Sequence, residues 1–411
     1  MSSFSLSFRV HTPYQLDNYT GSSVFSATGY FNNIAAATII NQLADDCYLP
    51  ANKIMLAAIK EQEGKFKLAF SISGTMIELL QTYRPDTIAS FQELVATGCV
   101  EILAETYYNS LSWLYSKKEF SRQVAMHTEL IKRVFGVEPV VFRNTEFIYN
   151  NELAVFVADM GYKGVLCEGL EKILQGRTPN QVYAAPGAGD FGLLLRNVSL
   201  SDDIAFRFDD LQWNEHPLTA NKYASWIHSH TNGSIINVFI DYETFGIHKK
   251  EATRIFEFLE NLAGAIVKDS QWKFITPSET LETYYPKDTY DVPKTISWKD
   301  KDIASCVWCE NMMQNNMLKK IYSIEGMVHK SACDKGLETW GRLQSADHFY
   351  YMSDSGRTTN DAYHKLNPFE SAEAAYKNYL GIITDFEIKL IQQGLLKFKG
   401  EHHYLKNTSI F

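Results

Sequence analysis

The residues of this chain best suited to chemistry lie in two short acidic segments about a quarter of its length apart. The first is Phe142-Arg143-Asn144-Thr145-Glu146-Phe147. The second is Phe239-Ile240-Asp241-Tyr242-Glu243-Thr244-Phe245-Gly246. Each follows an apolar run that reads as a buried strand, and strand ends in α/β proteins are where reactive side chains are usually mounted. Two carboxyl groups facing each other across a pocket are the minimum equipment for breaking a glycosidic bond.

Glu146 has Arg143 and Asn144 just before it. A neighbouring guanidinium favours the carboxylate anion, the form that a glycosidase nucleophile must take. A loop salt bridge between Arg143 and Glu146 accounts for the same spacing. Asp241 ends the apolar run 235–240. Desolvation there would raise its pKa and suit it to general-acid work. If the strand continues, alternation sends Glu243 to the same side, where it could hydrogen-bond or position. The plain alternative is acidic residues ahead of a helix N-terminus in 250–267. His11 follows the first strand in Arg9-Val10-His11-Thr12-Pro13. It could bond a sugar hydroxyl, and a purely structural role fits as well. The segment from Gly98 to Tyr108 ends a strand with Glu101, Glu105 and two tyrosines. The segment from Gln344 to Tyr351 gathers Asp347, His348 and aromatic groups.

Eight runs read as strands: 5–10, 67–71, 100–103, 140–142, 164–167, 193–196, 235–240 and 272–275. Amphipathic helical patterns fill most of the intervals. Ser116-x-x-Glu119 reads as a capping box opening a helix that stops at Gly136. Pro85 opens another helix at a favoured first-turn position. Alternating strands and helices imply a parallel sheet covered by helices, and seven or eight units suggest a closed or nearly closed β/α barrel. The stretch from Tyr285 to Pro293 reads as a linker. Beyond it helical patterns dominate, with Asn367-Pro368-Phe369-Glu370 as a helix start. The expected division is a barrel over 1–289 and a helical bundle over 290–411.

Bulk properties narrow the field. At 411 residues the chain fits one large α/β domain and a smaller partner. Lys and Arg number 39 against 48 Asp and Glu, a net charge of −9 without a basic stripe, so nucleic acid is not an expected partner. No apolar run is long enough to span a bilayer. The start carries no basic segment followed by a long apolar stretch, so no signal peptide and a cytoplasmic location are expected. Six scattered cysteines do not form a disulfide framework. Cys306-Val307-Trp308-Cys309 is a C-x-x-C in a helical stretch without the second pair that zinc would want. No Asp-Asp pair ends a strand and no H-x-x-x-H occurs, so no metal site is expected; His228-Ser229-His230 and His402-His403 read as surface or loop features.

Together the segments resemble glycoside hydrolase family 57, specifically its α-amylase group, in five stretches from His11 to Asp347. The resemblance implies a retaining hydrolase of α-1,4-glucans or maltooligosaccharides on an incomplete (β/α)7 barrel followed by a helical domain, with no cofactor. It places the nucleophile on Glu146 and the acid/base on Asp241. The family's first-segment histidine falls on His11, its second-segment glutamate on Glu101 and its last-segment aspartate on Asp347. Arg143 and Glu243 complete the candidate substrate-contacting set. Thr12 stands where the family commonly has Gln, Gln15 where a basic residue is frequent, and Asn109 where amylase-type members often carry His. These departures bear on chain-length preference. A 4-α-glucanotransferase with the same residues, and an amylase-like glucan-binding protein of weak turnover, are the alternatives. Oligomeric state is not legible.

Overall fold

A computed structural model of the chain describes residues 2–19, 29–230, 232–298, 307–331, 334–353 and 367–407. Among the described residues ten strands lie in one sheet: β1 (Ser2–Val10), β2 (Leu68–Ile72), β3 (Val100–Ile102), β4 (Val141–Arg143), β5 (Gly164–Glu168), β6 (Val182–Ala184), β7 (Gly192–Arg196), β8 (Ile235–Asp241), β9 (Trp272–Phe274) and β10 (Asp288–Thr289). All eight expected strands are present. The reading missed β6 and β10, which have three and two residues and carry little pattern of their own.

Seven of the strands form a parallel ring in the order β1, β2, β3, β4, β5, β7, β8, so the architecture is an incomplete (β/α)7 barrel. The ring is strong around β1, whose residues Ser3 to Arg9 pair with Ile235 to Asp241 of β8. It is thin at two seams. Between β3 and β4 a single bridge joins Ala104 to Phe142, with Ala104 N–H to Val141 O at 2.9 Å and Arg143 N–H to Ala104 O at 2.8 Å. Between β7 and β8 only Arg196 and Asn237 are in register. Side chains reinforce both seams. Arg143 reaches Glu105 across the first, and Arg196 Nε donates to Phe239 O at 2.8 Å across the second.

β1 shows how alternation builds such a barrel. Its sequence Ser-Phe-Ser-Leu-Ser-Phe-Arg-Val over residues 3–10 sends Phe4, Leu6, Phe8 and Val10 outward against the helices. Phe8 there meets Phe70, Tyr242 and Phe245. The inward positions are small serines and then Arg9. One apolar cluster includes a residue from most ring strands, among them Ala69, Val141, Leu166, Leu194, Ile235 and Phe239. The lower mouth is closed by the helix Pro277–Thr283. It opens on a capping box at Thr276 and inserts Leu281. Gly164 is required there: a Cβ would lie 2.5 Å from Gly192 O and 2.6 Å from Leu281 Cδ1. β9 pairs the first residues of β1, and β10 pairs β6, which runs antiparallel to β7.

The segment expected as a linker is instead built into this body. Asp288 and Thr289 pair with Tyr183 and Ala184. Tyr290 is fully buried, and its hydroxyl donates to Glu168 O at 2.9 Å. Helix boundaries also shift. The helix expected from 250 starts at Ile255, because Arg254 adopts a left-handed φ of +65° after a short turn at Glu251–Thr253. Ser116 caps as expected by accepting from Glu119 N–H, but Glu119 turns its Oε1 to Gln344.

Two compact units divide the chain: Met1–Thr12, Ala36–Tyr107 and Ser121–Cys306 form one, and Pro13–Ala35, Tyr108–Phe120 and Val307–Phe411 the other. The second unit is helical over its described C-terminal residues, with helices Met312–Ser323, Glu325–Ser331, Asp334–Leu343, Ala346–Tyr350 and Ala372–Asn407. Trp308, Trp340 and Tyr379 are buried within it. The expected start at Asn367 is a turn, in which Asn367 Oδ1 accepts from Phe369 N–H. The helix begins five residues later behind Ser371, whose hydroxyl accepts from Ala374 N–H. Cys306 lies outside the described residues, and Cys309 sits in a turn before Met312 rather than in a helix.

Candidate active site

The carboxyl ends of the ring strands gather charge. β1 and β8 are in register at Arg9 and Asp241, the last inward positions of two adjacent strands. Arg9 Nη1 donates to Asp241 Oδ1 at 3.4 Å, and Arg9 Nη2 donates to Glu146 Oε1 at 3.1 Å. One guanidinium thus joins the two carboxylates on which the sequence reading settled. Glu146 and Arg9 are nearly buried, at 2 % and 10 % side-chain exposure, whereas Asp241 keeps 27 %. The desolvated acid expected at Asp241 is therefore not what the fold builds.

Glu146 is held on both oxygens. Trp298 Nε1 donates to its Oε2 at 2.8 Å, and Trp298 N–H reaches its carbonyl at 3.3 Å. Its backbone lies in the left-handed region with φ of +55°, followed by Phe147 at +51°. Non-glycine residues held there cost on the order of 1–3 kcal/mol each and cluster where geometry serves function. Phe206, 45 % exposed, stacks parallel to Trp298 with centroids 6.3 Å apart. Neither ring was singled out from the sequence; Trp298 belongs to a stretch that read as the start of the helical domain.

Glu243 lies beside Asp241 by a different route from the one expected. The strand stops at Asp241, and Tyr242–Thr244 form a short 3-10 turn. Glu243 accepts a hydrogen bond from the Tyr48 hydroxyl. Burial and then the Asp241 charge raise its pKa to about 7. Gly246 closes the turn at φ +99°, where a Cβ would collide with Asp46 O at 1.8 Å. His11, one residue beyond β1, shares a 2.6 Å hydrogen bond through Nδ1 with Ser73 Oγ, the cap of helix Gly74–Tyr83.

Arg143 pairs with Glu105, not Glu146. The pair is wholly buried at 3.4 Å, and Ser71 Oγ donates to Glu105 Oε1 while accepting from Arg143 Nε. His127 underlies it, accepting Glu105 N–H on Nδ1, and burial lowers its pKa. Glu101 does not reach the carboxylate pair. It points into the barrel near the lower mouth, where Ser278 N–H donates to its Oε2 at 2.9 Å. Period-two alternation makes Glu101 and Glu105 equally inward, and only the fold shows that Glu105 is the upper one. Asp347 lies in the second unit, where its Oδ2 accepts from Ser345 Oγ at 2.7 Å and Asn109 Nδ2 at 3.4 Å.

The fold agrees with comparison to known proteins. The pattern of glycosyl hydrolase family 57 matches residues 5–293. A Methanocaldococcus jannaschii protein named "Putative alpha-amylase" is 36 % identical over 397 residues, 93 % of this chain and 84 % of that one.

The chain belongs to glycosyl hydrolase family 57.

It is accordingly a glycoside hydrolase. Solved family 57 structures share its fold. A branching enzyme of Thermococcus kodakaraensis superposes with a TM-score of 0.66 at 13 % identity, covering 94 % of this chain and 89 % of that one. A 4-alpha-glucanotransferase of Thermococcus litoralis gives 0.65 at 16 %, covering 85 % of this chain and 56 % of the larger protein. Among the described residues no helix is long and apolar enough to cross a membrane.

Glu101 supplies a testable property of this family 57 barrel. Burial raises its pKa from 4.5 to about 7, against the opposing bond from Ser278 N–H. A carboxyl whose folded pKa is raised contributes its full stability below the unfolded value and loses it as pH climbs through the folded one. The melting temperature of wild type relative to Glu101→Gln should therefore fall between pH 4.5 and 7. A flat or rising difference across that window would contradict the buried placement.

Proposed function

We propose that the chain is a retaining α-1,4-glucan hydrolase of the amylase type, with Glu146 as nucleophile and Asp241 as acid/base. The observation that carries this reading is the Arg9 guanidinium touching both carboxylates at the barrel's upper end. Retention would require the two carboxyl groups to lie ~5–5.5 Å apart. Glu146 attacks the anomeric carbon while Asp241 protonates the leaving oxygen. Asp241 then takes a proton from the water that breaks the glycosyl ester.

The parallel rings of Phe206 and Trp298 beside Glu146 give an apolar surface of the kind on which a sugar ring stacks. The substrate class follows the names of the relatives. A branching enzyme and a glucanotransferase stand among the structural neighbours, and the same ester intermediate would serve them with a sugar acceptor. Product analysis on maltoheptaose with EDTA present tests the reading. Shorter maltooligosaccharides are expected. Longer products would reassign the chain to transfer, and binding without turnover would make it a glucan-binding protein.

A further inference from the structure

We infer that Arg9 is the shared counter-ion of the reaction, passing its ion pair from Glu146 to Asp241 as the glycosyl-enzyme forms; this rests on the assignment of those two residues as nucleophile and acid/base.

The argument is one of charge. Arg9 sits nearly buried between the two carboxylates, with Nη2 on one and Nη1 on the other. Double displacement never needs both of them anionic at once. In the first step Asp241 carries the proton and Glu146 is the anion. The glycosidic C1–O bond breaks, the proton goes to the leaving oxygen, and Glu146 Oε bonds to C1. Glu146 is then an uncharged ester, and Asp241 is left as the anion. In the second step water bonds to C1, the C1–Oε bond breaks, and the water proton goes to Asp241. At each stage Arg9 faces one anion, first Glu146 and then Asp241, so the group of three stays neutral.

The surroundings make that neutrality count. Glu146 and Arg9 are shielded from water, so an uncompensated charge there is costly. Glu243, on the turn after β8, and Tyr48, on the segment Ala44–Tyr48, also lie within electrostatic reach of Arg9. Tyr48 donates to Glu243, and burial holds the Tyr48 hydroxyl proton. Neither group moves a charge toward Arg9 while Glu243 keeps its proton. The effect of Arg9 should fall most on the second step, where it stabilises the anionic base on Asp241 that must receive the water proton.

Arg9→Met removes the charge with little loss of volume, Arg9→Lys keeps a charge that can serve one carboxylate at a time, and Arg9→Ala leaves room for guanidinium ion. The expected result for a folded Arg9→Met is a fall in kcat on the order of 10²-fold, the scale of losing one preorganised electrostatic partner. KM should fall as well, because the ester accumulates, and quenched samples should show the glycosyl-enzyme by mass. The pH–rate profile should move to higher pH. Arg9→Lys should fall between, and added guanidinium should restore Arg9→Ala. Wild-type kcat and pH profile in Arg9→Met, with Glu146→Gln inactive, would overturn the inference alone. Turnover surviving Glu146→Gln would overturn the underlying assignment instead. If Arg9→Met does not fold, failure of guanidinium to restore folded Arg9→Ala would likewise count against the inference.

Discussion

On the proposed assignment, Glu146→Gln and Asp241→Asn should both abolish most turnover on maltoheptaose, but should fail in different ways. Loss of the acid/base lowers kcat by about 10²–10⁴-fold. Loss of the nucleophile costs at least as much, because it closes the covalent route altogether. A substrate whose leaving group needs no proton, such as α-maltosyl fluoride, separates the two. Asp241→Asn should still form the ester and then stall, whereas Glu146→Gln should not react. Azide sharpens the test. On Asp241→Asn it should trap the ester and give the α-glycosyl azide. On Glu146→Gly it should take the place of the missing carboxylate and give the β-azide. Glycine is the apt replacement because residue 146 sits at φ +55°, a conformation that glycine adopts freely. Formation of the same azide anomer by both variants would sink the division of roles.

The second large effect is on stability. Glu105→Ala should destabilise the barrel by about 3–5 kcal/mol, because it strands the Arg143 guanidinium in the interior. Both partners are essentially without solvent contact, at 1 % and 0 % exposure, and the pair spans the thin β3–β4 seam. Denaturant unfolding of wild type and variant measures it. Replacing both partners with apolar groups, as in Glu105→Leu with Arg143→Met, should recover much of the loss. A single-variant effect under about 1 kcal/mol would show that water reaches the pair, contrary to the structure.

The strands were legible because buried parallel strands write near-continuous apolar runs, and the two acidic segments were legible because they end such runs. Arg9 was not. In Ser-Phe-Ser-Leu-Ser-Phe-Arg it is one more inward polar position, and nothing local says that its neighbour across the ladder is Asp241. The β1–β8 register supplies that fact from 232 residues away. Arg143 misled for the converse reason. Only two residues separate it from Glu146, yet the left-handed turn at Glu146 and Phe147 carries the two side chains to different partners. Trp298 was hidden because it follows the turn-rich segment Tyr285 to Pro293, and turn composition does not distinguish a linker into a helical domain from a strand edge that folds back on the barrel.

The two thin seams divide the ring into two arcs of unequal strength. One arc holds β8, β1, β2 and β3, and with it Asp241 and Arg9. The other holds β4, β5 and β7, and with it Glu146. The proposed nucleophile and acid/base therefore sit on different arcs, joined at the seams by a few backbone bonds and by side chains. On the proposed mechanism, the spacing that retention requires would be set by how the two arcs meet. Residues at the seams, remote from either carboxylate in sequence, would then bear on the distance between them.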